Sequence, residues 1–227
     1  FTVDLPLPGP RHRDPRNGLG LAGTGPALHR LGQLLARPGW IARVGLGGKP
    51  HGFGCLDAHV PGVGSLDGFK AWVETQFDPS VTWKDIDWLR ARWRGKLVLK
   101  GLLDPADAAA AVDAGADAIV VSNHGGRQLD GAVATAARLP VMATTVAGRA
   151  GLLVDGGLRS GADIFRALAL GADGVLVGRP WAWALAAGGE AAVGALLGTW
   201  RRELAVTMAL AGVTRVADIG PGHLDRG

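Results

Sequence analysis

Four short apolar runs recur through the second half of the chain: KLVLK (96–100), AIVVS (118–122), GLLVD (151–155) and GVLVG (174–178). Each has the length of a strand and is apolar throughout rather than alternating, the pattern of a strand covered on both faces. The segments between them, DPADAAAAVDAGA and SGADIFRALALGA among them, are alanine-rich and close on glycine, as helices do at their C-termini. Intervals of roughly 20 to 35 residues match a strand, a crossover helix and the next parallel strand. A fifth run, FTVDL (1–5), opens the chain. The pattern predicts an α/β fold, and the parallel architecture that collects chemistry at the C-terminal ends of its strands is the (β/α)8 TIM barrel. Asp4, Lys100, Ser122, His124, Asp155 and Arg179 all stand at such ends.

A closed barrel needs eight strands, and five are legible, so the expectation is an incomplete barrel covering roughly strands 4 to 8. The chain opens at Phe1 without a methionine and shows no secretory pattern; it reads as cut rather than initiated. About 90 residues separate the first two runs, too many for a plain loop, so helices and an elaborated connection are expected there. Residues 1–227 are read as one domain, with an excursion over 20–60 after the first strand. No apolar segment approaches the roughly 20 residues of a membrane span. The single cysteine, Cys55, excludes an internal disulfide framework and a multi-thiolate zinc site. A net charge of +4 with scattered arginines speaks against nucleic acid and leaves anionic small molecules or lipid headgroups open.

The densest chemistry lies in SNHGGRQLDG (122–131), directly after an apolar run. Its glycines let backbone approach a ligand, His124 can exchange a proton near neutral pH, and Arg127 can grip a carboxylate or phosphate in bidentate fashion. A lone histidine in a turn more often serves a hydrogen-bond network; the arginine three residues on and the strand-end position favour oxidation or proton abstraction beside an anion. Lys100 could stabilise negative charge on a ligand from its strand end. VDGGLRSGADIFRALALGADGVLVGRP (154–180) sets a DGG loop before a helix and GRP after the next strand, the arrangement of a late-barrel phosphate site. In the loop after Asp4, Arg11, His12 and Arg13 form a charge cluster. Trp83, Trp88 and Trp93 recur at near-helical spacing and are read as core and interface residues.

In this order, TVD with RHRD downstream, DPSVTWKDIDWL, LVLKGLLDPADA, SNHGGRQLDG, VDGGLRSGADIFRALALGADGVLVGRP and ELAVTMALAGVTRVADI make the chain resemble the FMN-dependent 2-hydroxy-acid dehydrogenases over essentially its whole length. TVDLPLPGPRHRD and RPGWIARVGLGGKPHGFG are most similar to the respiratory, quinone-linked L-lactate dehydrogenases of that family. The resemblance implies that His124 is the active-site base, taking a proton from the substrate's C2 or its hydroxyl, and that Asp4 hydrogen-bonds its imidazole. It implies that Arg11 and Arg127 hold the substrate carboxylate from two sides. Lys100 would lie beside N1 and O2 of the FMN ring, with Thr2 and Ser122 near the cofactor and Asp155 at the ribityl chain. Gly156, Gly157, Arg159, Gly178 and Arg179 would surround the 5′-phosphate; no metal is implied.

The same resemblance implies oxidation of an L-2-hydroxy acid, foremost L-lactate to pyruvate, with electrons passed to a quinone or cytochrome, and a tetramer at full length. An oxidase using oxygen and an inactive barrel fragment are the alternatives. The family's front half supplies a flavin-flanking segment and substrate-contacting tyrosines, and this chain has no tyrosine. The chain alone is therefore expected to bind FMN poorly, its completed parent being the enzyme. Residues 20–54 correspond to a membrane-contacting excursion in related proteins; a bilayer surface and a lid over the barrel are the two readings. The location implied is cytoplasmic, either free or peripheral on the inner face of the cell membrane.

Overall fold

A computed structural model describes residues 1–10, 12–17, 24–48, 68 and 72–224. Strands β1 (Val98–Leu102), β2 (Ala118–Val121), β3 (Gly151–Val154) and β4 (Gly174–Val175) form one parallel sheet in the order β1-β2-β3-β4. The run at the N-terminus adds an isolated parallel bridge, Thr2 to Lys100, held by Lys100 N donating to Phe1 O and Val3 N donating to Lys100 O, both 2.8 Å. The expected five strands are thus four and a bridge. Lys100 lies inside β1 rather than at its end, because the strand continues through a bulge to Leu102, which pairs with Val121.

The chain divides into two units, Phe1–Pro6 with Ser80–Gly227, and Leu7–Pro79. In the second, α1 (Arg13–Arg16) precedes α2 (Thr24–Leu35), and α3 (Pro38–Trp40) runs into a π-helical turn over Ile41–Leu46. In the first, α4 (Trp83–Arg92) leads into β1, and α5 (Pro105–Asp113), α6 (Thr135–Val146) and α7 (Gly161–Ala169) make the crossovers. The last helix, α8 (Arg179–Leu210), breaks at Gly188 and Gly189. Helix starts follow side-chain chemistry: the Asp104 carboxylate accepts from Ala106 N at 2.8 Å with Pro105 beside it, and Ser160 Oγ accepts from Asp163 N at 3.1 Å.

The core is the helix-facing side of the sheet. Leu99, Ile119, Val121, Leu152 and Val154 pack with Ala108 and Ala111 of α5 and with Leu139, Met142 and Val146 of α6. A second cluster joins Phe165 and Ala169 of α7 to Val213 and Ile219. There α7 and α8 approach so closely that a Cβ on Gly161 would strike the backbone of Trp200 and Leu204, while the Glu203 carboxylate accepts from Gly161 N at 2.7 Å. The tryptophan expectation is corrected: Trp83, Trp88 and Trp93 are exposed, Arg92 stacks 4.3 Å over the Trp88 ring, and among the described residues only Trp200 is buried.

A Gly-Ala-Asp triplet at 115–117 and again at 171–173 ties the far ends of the strands together. Asp117 N donates to Leu97 O at 2.8 Å and its carboxylate accepts from Leu97 N at 2.9 Å; Asp173 repeats both bonds with Leu152, at 2.7 Å each. Lys96, at 2.7 Å, and the Leu97 amide hold the Asp117 carboxyl down from 3.8 to about 2, with Arg90 adding to them. A folded-state value below the unfolded one means stability present above about pH 4 and lost as pH falls through 2. Urea midpoints measured from pH 5 to pH 2 are expected to fall in that window, and Asp117→Asn to flatten part of the fall.

Candidate active site

At the C-terminal side of the sheet the bridge at Thr2 brings Asp4 beside the loop after β2. The His124 backbone lies in the left-handed region at φ 55, a conformation costing an L-residue about 1 kcal/mol. Ser122 Oγ accepts from His124 N at 3.0 Å, and Asp4 Oδ1 lies 3.3 Å from His124 Nδ1. With Nδ1 turned to the carboxylate, Nε2 is the ring nitrogen left for a ligand.

Lys100 stands next to this pair. Its Nζ donates to Ser122 Oγ at 2.8 Å and lies 2.9 Å from Asp155 Oδ2, so one ammonium from within β1 reaches the residues that follow β2 and β3. Two carboxylate oxygens here, Asp4 Oδ2 and Asp155 Oδ1, are buried without a hydrogen-bond partner among the described residues. Buried acceptors are costly unless a donor meets them, and a ligand carrying hydroxyl or N–H groups would supply one.

Beyond β3 a cavity of about 420 Å³ opens between the loops and helices α6 and α7, with Asn123, Gly125, Thr135, Gly156, Gly157 and Arg179 in its wall. The Arg179 guanidinium donates to Gly125 O at 2.9 Å, joining the loop after β4 to the histidine loop. Asp163, also in the wall, is pushed up by burial, but the Arg159 amide, Ser160 and Arg166 outweigh that and hold its carboxyl below the ordinary value.

The residues singled out in the sequence therefore fall into groups. Asp4 meets His124; Lys100 meets Ser122, Asp155 and, through backbone, Thr2; Gly156, Gly157 and Arg179 share one cavity. Arg127 and Arg159 are exposed on their loops and stand apart from the cavity wall, as does Gly178, which caps α8. Arg11 lies outside the described residues, as does much of the 20–60 excursion. Two side chains escaped sequence reasoning. Asn123 Oδ1 accepts from Gly125 N at 3.0 Å and shapes the histidine loop; Thr135, buried, donates to Asp155 O at 2.7 Å. An asparagine two residues before a glycine, placed to accept from that glycine's amide, is the signal that could have found the first; nothing local marks the second.

Parallel βα units gather these polar groups at the C-terminal side of the sheet, where two buried carboxylate oxygens stand ready to accept from a ligand's hydroxyl or N–H groups. The family model described as FMN-dependent dehydrogenase matches residues 1–226, and the chain belongs to that family. It is 50% identical over all 227 residues to an L-lactate dehydrogenase of Serratia proteamaculans (strain 568), and 49% identical over 224 residues to an L-lactate dehydrogenase of Yersinia pestis (strain Pestoides F). It spans 59% and 58% of the lengths of those relatives. Among solved structures it is similar to the monotopic membrane protein (S)-mandelate dehydrogenase, with TM-score 0.88 and 33% identity, covering 100% of this chain and 59% of that one. A mandelate oxidase matches with TM-score 0.70 and 40% identity over 96% of this chain and 52% of that one.

The donor set fits FMN. Asp155 Oδ1 lacks a donor among the described residues where a ribityl hydroxyl would provide one, Lys100 would bring positive charge to a bound ring, and a cavity lined by Gly156, Gly157 and Arg179 would suit a phosphate.

Proposed function

We propose that this chain carries the cofactor-holding and proton-transferring part of an FMN-dependent dehydrogenase that oxidises an L-2-hydroxy acid, foremost L-lactate to pyruvate, and delivers the electrons to a quinone or cytochrome. The observation that carries the reading is the Asp4–His124 pair set beside Lys100 and Asp155. Lactate is preferred to mandelate because relatives named for lactate are about 50% identical over the whole chain, whereas mandelate enzymes matched over 96% or more of it are 33 to 40% identical, one reaching 51% over only 63%.

Arg127 and Arg11 would hold the substrate carboxylate, orienting C2 toward the ring and the hydroxyl toward His124. His124 Nε2 would take a proton from that hydroxyl or from C2, and Asp4 at Nδ1 would stabilise the imidazolium that results. Bound FMN would supply the two-electron acceptor. Lys100, with Ser122 and Thr2 nearby, would bear on the ring, Asp155 on the ribityl chain, and Gly156, Gly157, Arg159, Gly178 and Arg179 on the phosphate. Residues 1–227 would act as one domain of the enzyme, with the excursion as an accessory to it.

Visible absorbance after adding FMN and then L-lactate without oxygen tests this, in the chain and in a form completed to its relatives' length. Bleaching of bound flavin in the completed form is the expected result; no bleaching with lactate, glycolate or mandelate overturns the reading. Peroxide formed in air would favour the oxidase alternative.

No helix among the described residues is long and apolar enough to cross a membrane. Within Leu7–Pro79, Leu28, Leu31, Leu35 and Leu46 are exposed, with Arg37 and Arg43 among them, a composition that suits the surface of an anionic bilayer. We therefore propose peripheral membrane contact through this segment, on the cytoplasmic side. Replacing Leu28, Leu31 and Leu35 with serine should move the protein from the pelleted to the soluble fraction in vesicle sedimentation, and unchanged pelleting would exclude the segment.

A further inference from the structure

We propose that Gly101 is a positioning residue for the Asp4–His124 pair, its missing side chain being what admits the Asp4 carboxyl to Nδ1 of His124. The inference rests on the function proposed above and adds to it a residue that neither binds nor reacts. Gly101 has φ +106, and a Cβ there would lie 2.5 Å from Asp4 Cγ, 2.6 Å from its Cβ and 2.7 Å from Oδ1. Real Cβ contacts below 3.0 Å are essentially unknown, so the carboxyl would have to move. The oxygen struck, Oδ1, is the one facing His124 Nδ1 at 3.3 Å, already long for a hydrogen bond.

Asp4 has little room to retreat as a unit. Val3 N is bonded to Lys100 O, the residue before Gly101, so the backbone carrying Asp4 is pinned to the strand that would carry the new methyl group. Gly101 is also the residue at which the β1–β2 register shifts, between the Lys100–Val120 and Leu102–Val121 pairs. The bulge therefore sits between Lys100 and the place where Asp4 crosses the strand, and only a residue at ease with positive φ and without Cβ serves both needs.

The test is Gly101→Ala in the FMN-loaded protein completed to its relatives' length. Expected are a fall in kcat of about tenfold or more with KM changed less than about threefold, since the carboxylate-holding arginines are untouched. The hydrogen-bonded Nδ1 proton of His124, assigned by its loss in His124→Gln, should disappear from the NMR spectrum of Gly101→Ala. That signal is read without substrate, so it judges Gly101 even where lactate, glycolate and mandelate all fail and the functional reading falls. Combining Gly101→Ala with Asp4→Gly supplies the control: with the Asp4 Cβ and carboxyl both gone the methyl group has room, and the double variant should match Asp4→Gly. A folded double variant beside an unfolded Gly101→Ala likewise supports the proposal. Losses that multiply, a retained Nδ1 signal, or a double variant that does not fold would each overturn it.

Discussion

Replacing His124 with alanine is expected to lower kcat for the 2-hydroxy acid by about a hundred- to ten-thousand-fold, the usual worth of a positioned general base. KM should stay near its starting value, because in the proposed mechanism the histidine would act on a proton whereas Arg127 and Arg11 would hold the carboxylate. The geometry makes the expectation specific. Asp4 occupies Nδ1, Ser122 Oγ holds the His124 amide at 3.0 Å, and the backbone is left-handed at φ 55, so the ring is fixed from two sides with Nε2 outward. Alanine keeps the strained backbone and removes the ring; flavin content should be unchanged, and stopped-flow reduction of the flavin by lactate reads the lost step directly. Asp4→Asn should cost less, since it weakens stabilisation of the imidazolium while leaving the base in place. A His124→Ala protein reducing its flavin at the original rate would remove His124 from the mechanism.

Much of this was legible in the sequence because strands buried on both faces announce themselves as unbroken apolar runs. AIVV and GLLV became β2 and β3 over those residues. The two ends of the sheet were harder. Phe1–Leu5 lies at an edge with a proline directly after it, and pairs only at Thr2; GVLVG, at the other edge, keeps ladder geometry for Gly174 and Val175 and then a single bond from Leu176 N to Val154 O. Helical spacing of tryptophans reports that a face exists, not that anything covers it, and Trp88 is 56% exposed under Arg92. The paired Gly-Ala-Asp triplets were in plain view, but an aspartate that closes a strand end looks, in sequence, like any surface acid.

The site divides along the same line. Residues recognised by chemical type, such as His124, Lys100 and Asp155, were readable from motif, although Lys100 lies within β1 rather than at its end. Thr135 acts by donating to the Asp155 carbonyl across the sheet's edge, and Gly101 by occupying no space; neither property belongs to the residue alone. Such roles depend on what the fold brings from elsewhere, here Asp155 from 20 residues downstream and Asp4 from the chain's far end.

The second large effect is expected at Lys100. Its side chain, 24% exposed, sets the ammonium 2.9 Å from Asp155 Oδ2, and Asp155 Oδ1 is buried with no partner among the described residues. In Lys100→Met the carboxylate keeps its burial and loses this compensating charge. Removing one partner of a buried pair typically costs 3 to 5 kcal/mol, and partial exposure reduces that here to about 2 kcal/mol of folding free energy. Asp155→Asn in the same background removes the stranded charge, and the urea midpoint should recover even though neither native group remains. Cofactor retention should not recover with it, since the double variant would offer the ring no positive charge; FMN affinity of the completed protein should stay about thirtyfold down, a binding loss of about 2 kcal/mol separate from the folding one. Stability and flavin retention thus separate: recovery of both in the double variant would make Lys100 only the counter-ion of Asp155, while recovery of stability alone, with flavin affinity below that of Asp155→Asn by itself, assigns its charge to the cofactor.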